Sequence, residues 1–124
     1  MKSDFEQWVA AQVADTGPFT VFIVLIRIAA DSVALLKSSY AHMIGDEMSW
    51  LDMRALLDGA GVGWDGVAFF VGLGPEGGPL PDKEAAAKLK EVETGLQSDP
   101  LLLNCGRFFD RLGRHMRIDE VDGH

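Results

Sequence analysis

The sequence predicts one small α/β domain, with an α+β arrangement as the variant, and three observations predict it. Two apolar runs, near residues 19–28 and 66–72, have the β-branched and aromatic composition of strands covered on both faces. The segments around them place apolar residues at helical spacing behind capping residues. The 124 residues, 48% hydrophobic and 24% charged, suffice for one core and leave little for a second. The expected architecture is a single compact domain over residues 1–118, with a small sheet of two buried central strands, a C-terminal hairpin and about four helices. A frayed acidic tail follows at 119–124.

The elements follow in order. From Ser3 to about Asp15, Phe5, Trp8, Val9 and Val13 recur at spacings of three and four, and Ser3 with Glu6 forms a capping box. Thr16-Gly17-Pro18 stops that helix. Phe19 to Ile28 contains six β-branched residues and is expected to be a central strand, with Arg27 marking the end of its buried run. A competing all-α reading makes residues 18–43 one helix. Phe22, Ile26, Ala29, Val33, Leu36, Tyr40 and Met43 keep a four-three spacing, Pro18 suits a first helical position, and Arg27 precedes Asp31 by four. On both readings Asp31 to Met43 is helical, with Val33, Leu36, Tyr40 and Met43 inward.

A further helix runs from the Ser49 cap to about Asp58, with Leu51, Ala55 and Leu56 facing the core. Val67 to Val71, bounded by glycines, is the second buried strand. Gly72 to Pro81 is too rich in glycine and proline for regular structure and forms a loop. Asp82 caps the next helix, lined by Ala86, Leu89, Val92 and Leu96 and supported by a Glu84 and Lys88 pair. Asp99-Pro100 starts a short helical turn through Leu103. Residues 107–118 form a hairpin turning at Asp110 to Gly113, because Gly106 and Gly113 would each cost a helix ~1 kcal/mol.

Charge and composition narrow the function. The net charge of −8 repels nucleic acid and anionic membranes, so neither is expected as a partner. The most apolar stretch, Phe19 to Ile26, is eight residues long, far short of the roughly 20 that span a bilayer. Asp4 and Glu6 stand where a signal peptide needs a basic start. The single cysteine, Cys105, can form neither an internal disulfide nor a thiolate zinc site, which fits a reducing, cytoplasmic setting.

No chemistry-bearing spacing stands out. Gly61 to Gly66 and Gly72 to Gly77 both match G-x-G-x-x-G. The first, however, follows a helix and precedes a strand, the reverse of what a dinucleotide needs. In the second, Pro75, Pro79 and Pro81 remove N–H donors before Asp82. His42 with Asp46 and Glu47 is the nearest approach to a metal set, and Ser38, Ser39 and Cys105 lack nucleophile signatures. No catalytic residue, metal or cofactor is assigned, and the reading leans away from an enzyme.

What remains points to binding. Arg107, Arg111, Arg114 and Arg117 fall within eleven residues beside Phe108, Phe109 and His115, a set suited to an acidic partner. Trp50 and Trp64 are read as exposed aromatics, and Trp64, Asp65, Gly74 and Gly77 as further binding residues beside the loop. The expected function is a non-catalytic interaction or regulatory module that uses residues 107–117 and the Gly72 to Pro81 loop. Its partner is a protein or a second copy, since a few-stranded sheet can hardly cover every edge of so apolar a strand. The alternative is a binding protein or enzyme holding an anionic metabolite at the strand ends, between Asp65, the glycine loop and an arginine.

Overall fold

In the computed structural model, which describes residues 3–28, 33–45, 48–75, 77–99, 102 and 106–116, the elements are α1 (Asp4–Thr16), β1 (Phe19–Ile28), β2 (Val33–Met43), α2 (Trp50–Asp58), β3 (Gly66–Gly72), α3 (Asp82–Ser98), β4 (Arg107–Asp110) and β5 (His115–Met116). The strands form one antiparallel sheet in the order β2-β1-β3-β4-β5. The chain is thus an α+β domain, the variant of the expected class, and no helix runs from 18 to 43.

Strand alternation divides the core in two. Val21, Ile23 and Leu25 of β1, Val67 and Phe69 of β3, and Phe109 of β4 face α1 and α2, where they meet Phe5, Val9, Trp50, Met53 and Leu57. Val24 and Ile26, Ala68 and Phe108 face the other way, against Leu96 and Val92 of α3. Phe19 through Ile26 are buried without a break, and Arg27 and Ile28 emerge into solvent where the covered run was expected to end. Each such aliphatic or aromatic side chain contributes about 1.5–3 kcal/mol on burial, so this strand organises the domain.

The expected helix over 31–43 is a strand from Val33 onward, paired with β1 from Ile28↔Val33 to Phe19↔Met43. Its apparent helical spacing has a physical source. A bulge opposite Leu25 and Ile26 leaves Leu36 between the paired residues Leu35 and Lys37. Leu36, Ala41 and Met43 then pack toward α1 and α2 while Val33 and Leu35 pack toward α3. The extra residue breaks the two-residue period, and pairing with β1 overrides the modest strand propensity of Ala, Leu, Lys and Ser.

Three helices are present among the described residues rather than about four. Only Leu102 of the expected turn after Asp99 is described between 100 and 105, in a 3-10 conformation, and the tail at 119–124 lies outside the described residues. In α2 the buried face is Trp50, Met53 and Leu57, while Leu51, Ala55 and Leu56 are exposed. A three-four spacing that starts at Trp50 buries the larger tryptophan and methionine. In α3 the inward residues are Ala85, Leu89, Val92 and Leu96, with Ala86 outside. Asp82 is the first helical residue rather than a cap, and Lys88 pairs with Glu91 at 3.4 Å instead of Glu84. The Ser3 capping box, the Ser49 cap and the hairpin over Asp110 to Gly113 form as expected.

The sheet admits β4 closely because Gly106 precedes it. A Cβ there would stand 2.4 Å from the Phe69 carbonyl oxygen, which belongs to backbone and cannot swing away. Gly106→Ala is therefore expected to destabilise the domain by about 1–3 kcal/mol, whereas Gly45→Ala, which meets nothing within 4 Å, should stay within about 0.5 kcal/mol of the parent. Urea unfolding measures both, and equal midpoints would contradict this packing of β4 on β3.

Candidate functional site

Among the described residues, the arginines of the C-terminal segment do not present one basic face. Arg111, in the β4–β5 turn, donates from Nη1 to the Trp64 carbonyl oxygen at 2.9 Å and from Nη2 to Asp58 Oδ1 at 3.2 Å, with its guanidinium carbon 4.3 Å from the Trp64 ring centre. Trp64 Nε1 donates to the same Asp58 oxygen at 2.9 Å, and Arg54 stands 3.9 Å from the other. Trp50 completes the clamp. Its Nε1 donates to the Arg111 carbonyl oxygen at 2.9 Å, and its ring covers Gly113, where a Cβ would come within 2.7 Å at a φ of +77°. Trp50 and Trp64, expected to be exposed, are 5% and 1% accessible. Both are consumed in joining α2 to the hairpin, because each indole offers a large apolar body and one N–H that needs a partner.

Asp110 holds the turn itself. Oδ1 accepts from the backbone N–H groups of Leu112 and Arg114 at 2.8 and 3.0 Å, and Oδ2 accepts from Arg114 Nε at 2.8 Å. Burial alone would raise the pKa of this carboxyl, but those two N–H groups and the Arg114 guanidinium outweigh it and bring it below the ordinary aspartate value. Arg107 stands apart at the start of β4, exposed and without a polar partner among the described residues, and Arg117 lies outside them.

Asp65 closes the near end of the sheet. Its N–H donates to the Ile26 carbonyl oxygen and its Oδ2 accepts from the Ile28 N–H, both at 2.7 Å. Gly74 and Gly77 lie beyond the far end of β3, a strand about 20 Å long by strand rise, so Asp65 and the glycine loop do not share a pocket. The loop's amides are also committed: Gly74 donates to the Gly78 carbonyl oxygen at 2.9 Å and Gly77 to that of Gly74 at 3.0 Å. Trp64, Asp65, Arg111 and Arg114 are thus brought to one end of the sheet, and Gly74 and Gly77 to the other.

Two features escaped the sequence. The first is a hydrogen-bonded chain through His42, whose expected neighbours Asp46 and Glu47 lie outside the described residues. His42 Nδ1 meets Thr20 Oγ1 at 2.9 Å and Nε2 meets Asp82 Oδ1 at 3.0 Å, while Thr20 Oγ1 accepts from the Leu80 N–H at 2.8 Å. A threonine hydroxyl donating to Nδ1 and an Nε2–H donating to Asp82 satisfy every group. The order Asp, His, Thr matches that of nucleophilic relays, yet Thr20 is 0% accessible and its oxygen already bonds the loop. The chain ties the Gly/Pro loop and the start of α3 to β1 and β2. Finding it requires the cross-strand pair Thr20↔His42, which a helical 31–43 hides.

The second feature is the outer edge of the sheet. Among the described residues, β2 makes no backbone hydrogen bond except those to β1, and no strand lies beyond it. Over Val33–Met43 its one formal charge is Lys37, whose Nζ is turned to the Ala60 carbonyl oxygen at 3.0 Å. Among the described residues the opposite edge, β5, is two residues long.

The Asp110 bonds predict a pH dependence. A carboxyl whose native pKa is depressed stabilises the fold above the unfolded value of about 3.9, and that contribution is lost as pH falls through the native value. Asp110→Asn should therefore unfold at lower urea than the parent at neutral pH, and the gap should close as pH is stepped down toward about 2. A gap that stays constant across that range would contradict the assignment. Compared with protein families, curated proteins and solved structures, the chain matches none.

Proposed function

We propose that this chain is a non-catalytic interaction module that self-associates by pairing β2 with β2 of a second copy, antiparallel about a two-fold axis at Ser38. One observation carries the reading: β2 is an eleven-residue edge strand with an open outer side and one formal charge, Lys37. Exposed edges offer rows of backbone donors and acceptors to another strand, and proteins that remain single normally shorten such edges or load them with charge or proline. Here β2 is not shortened, holds no proline and carries one formal charge.

The side chains suit this register. With Ser38 opposite Ser38, Lys37 meets Ser39 and His42 meets Ala34, so no like charges oppose each other within the paired strands. The rest of the molecule supports an interaction role over a catalytic one: Thr20 and His42 are spent on holding the loop, and Arg111 on the α2 clamp. Arg107 and the exposed Arg114 side chain are left to modulate encounter with acidic surfaces.

Two substitutions at one exposed position test the reading. Ser39→Lys would set lysine against Lys37 of the second copy twice across the axis, and Ser39→Glu would set opposite charges there, at roughly 0.2–1 kcal/mol per pair. Sedimentation equilibrium at micromolar concentration should show a dimer for the parent, a several-fold weaker dimer for Ser39→Lys and retained association for Ser39→Glu. A parent that sediments as a 13.5 kDa monomer, or variants that associate equally, would overturn it.

A further inference from the structure

A cleft of about 340 Å³ lies between α1 and the β4–β5 hairpin, lined by Asp4, Trp8, Ala11, Arg107, Phe109 and His115. Its walls follow from the periodicities of the two elements. Arg107 and Phe109 alternate onto one face of β4, and His115 is paired opposite Phe109, so all three turn toward α1. Positions 4, 8 and 11 recur along one side of α1 at four-three spacing. The two elements are tied at one end, where Asp4 Oδ2 accepts from the His115 N–H at 2.9 Å.

The floor and one wall are aromatic. Phe109 is buried, and its ring stands edge-on to His115 with centroids 5.8 Å apart. Trp8 is half-buried, stacked on Phe69 with centroids 5.6 Å apart and planes 27° from parallel. Three polar groups of the cleft are unspent. The indole N–H of Trp8, the imidazole of His115 and the guanidinium of Arg107 have no hydrogen-bond partner among the described residues. Arg27, Arg54, Arg111 and Arg114 all hold polar partners, which leaves Arg107 the one described arginine without one, in a protein of net charge −8.

We propose that this cleft binds a small planar aromatic monocarboxylate, with the ring against Trp8 and Phe109 and the carboxylate on Arg107. The guanidinium fork matches a carboxylate, and the flat aromatic surfaces match a ring. A single arginine with the Asp4 carboxylate lining the same cleft selects a monoanion over a phosphate dianion. The cleft's size accommodates one substituted ring rather than a nucleotide. This site uses α1 and β4, away from the β2 edge, so its test is independent of self-association.

Benzoate is the probe, with benzyl alcohol and inorganic phosphate as controls, titrated into the full chain and followed by the Trp8 indole and His115 NMR signals. The Trp8 signal is assigned through Trp8→Phe. Benzoate should shift both signals saturably, and the two controls should not. Arg107→Gln, at an exposed position without a polar partner, should keep the rest of the spectrum and weaken benzoate about tenfold. Absence of a saturable shift, equal shifts with benzyl alcohol, stronger binding of phosphate, or undiminished benzoate binding in Arg107→Gln would each overturn the proposal.

Discussion

Everything in this structure depends on β1 being apolar on both faces. A strand with Val21, Ile23 and Leu25 on one side and Phe22, Val24 and Ile26 on the other cannot sit at an edge or against water. It requires a neighbour on each side and a helical layer above and below. β2 and β3 supply the neighbours, α1 and α2 one layer, and α3 the other. The remaining strands are extensions of β3, and the long connection from β3 to β4 exists because α3 must cross to the far face.

The polar groups are arranged around that constraint. Neighbouring layers and elements are fastened by side chains bonded to backbone or to each other. The Thr20, His42 and Asp82 chain fastens the loop that carries the chain to α3, and Asp58, Trp64 and Arg111 fasten the hairpin to α2. Glu6 caps its own helix through Ser3 and also accepts from the Trp50 N–H at 2.8 Å, joining α1 to α2. Charge that looks available for partners in the sequence is therefore partly committed to the fold. Among the described residues, the β2 edge and the Arg107 cleft stay uncommitted and lie where no crossing needs them.

Much of this was legible in the sequence, for definite reasons. β1 and β3 announce themselves because two-faced burial demands continuous apolar runs, and α1 and α2 because Ser3 and Ser49 sit where orphan N–H groups need an acceptor. The hairpin was legible from Gly106 and Gly113. β2 was not, since the bulge at Leu36 replaces a period of two with spacings that imitate a helix. That one misreading concealed the Thr20↔His42 pair and the open edge together. The tryptophans were misplaced for a different reason: position beside a loop says nothing about burial, and their N–H partners, Asp58 and the Arg111 carbonyl, come from elsewhere in the chain.

The central claim is that β1 is the doubly covered middle of the sheet and that β2 beyond it has one paired and one open side. Residue-resolved hydrogen exchange on dilute protein tests this most directly, because exchange reports which amides are released only by global unfolding. The account predicts that β1 amides exchange at the global limit while β2 amides divide into a protected class bonded to β1 and a fast class facing outward. Uniform protection along Val33–Met43, or β1 amides that exchange as readily as those of the β2 edge, would contradict it.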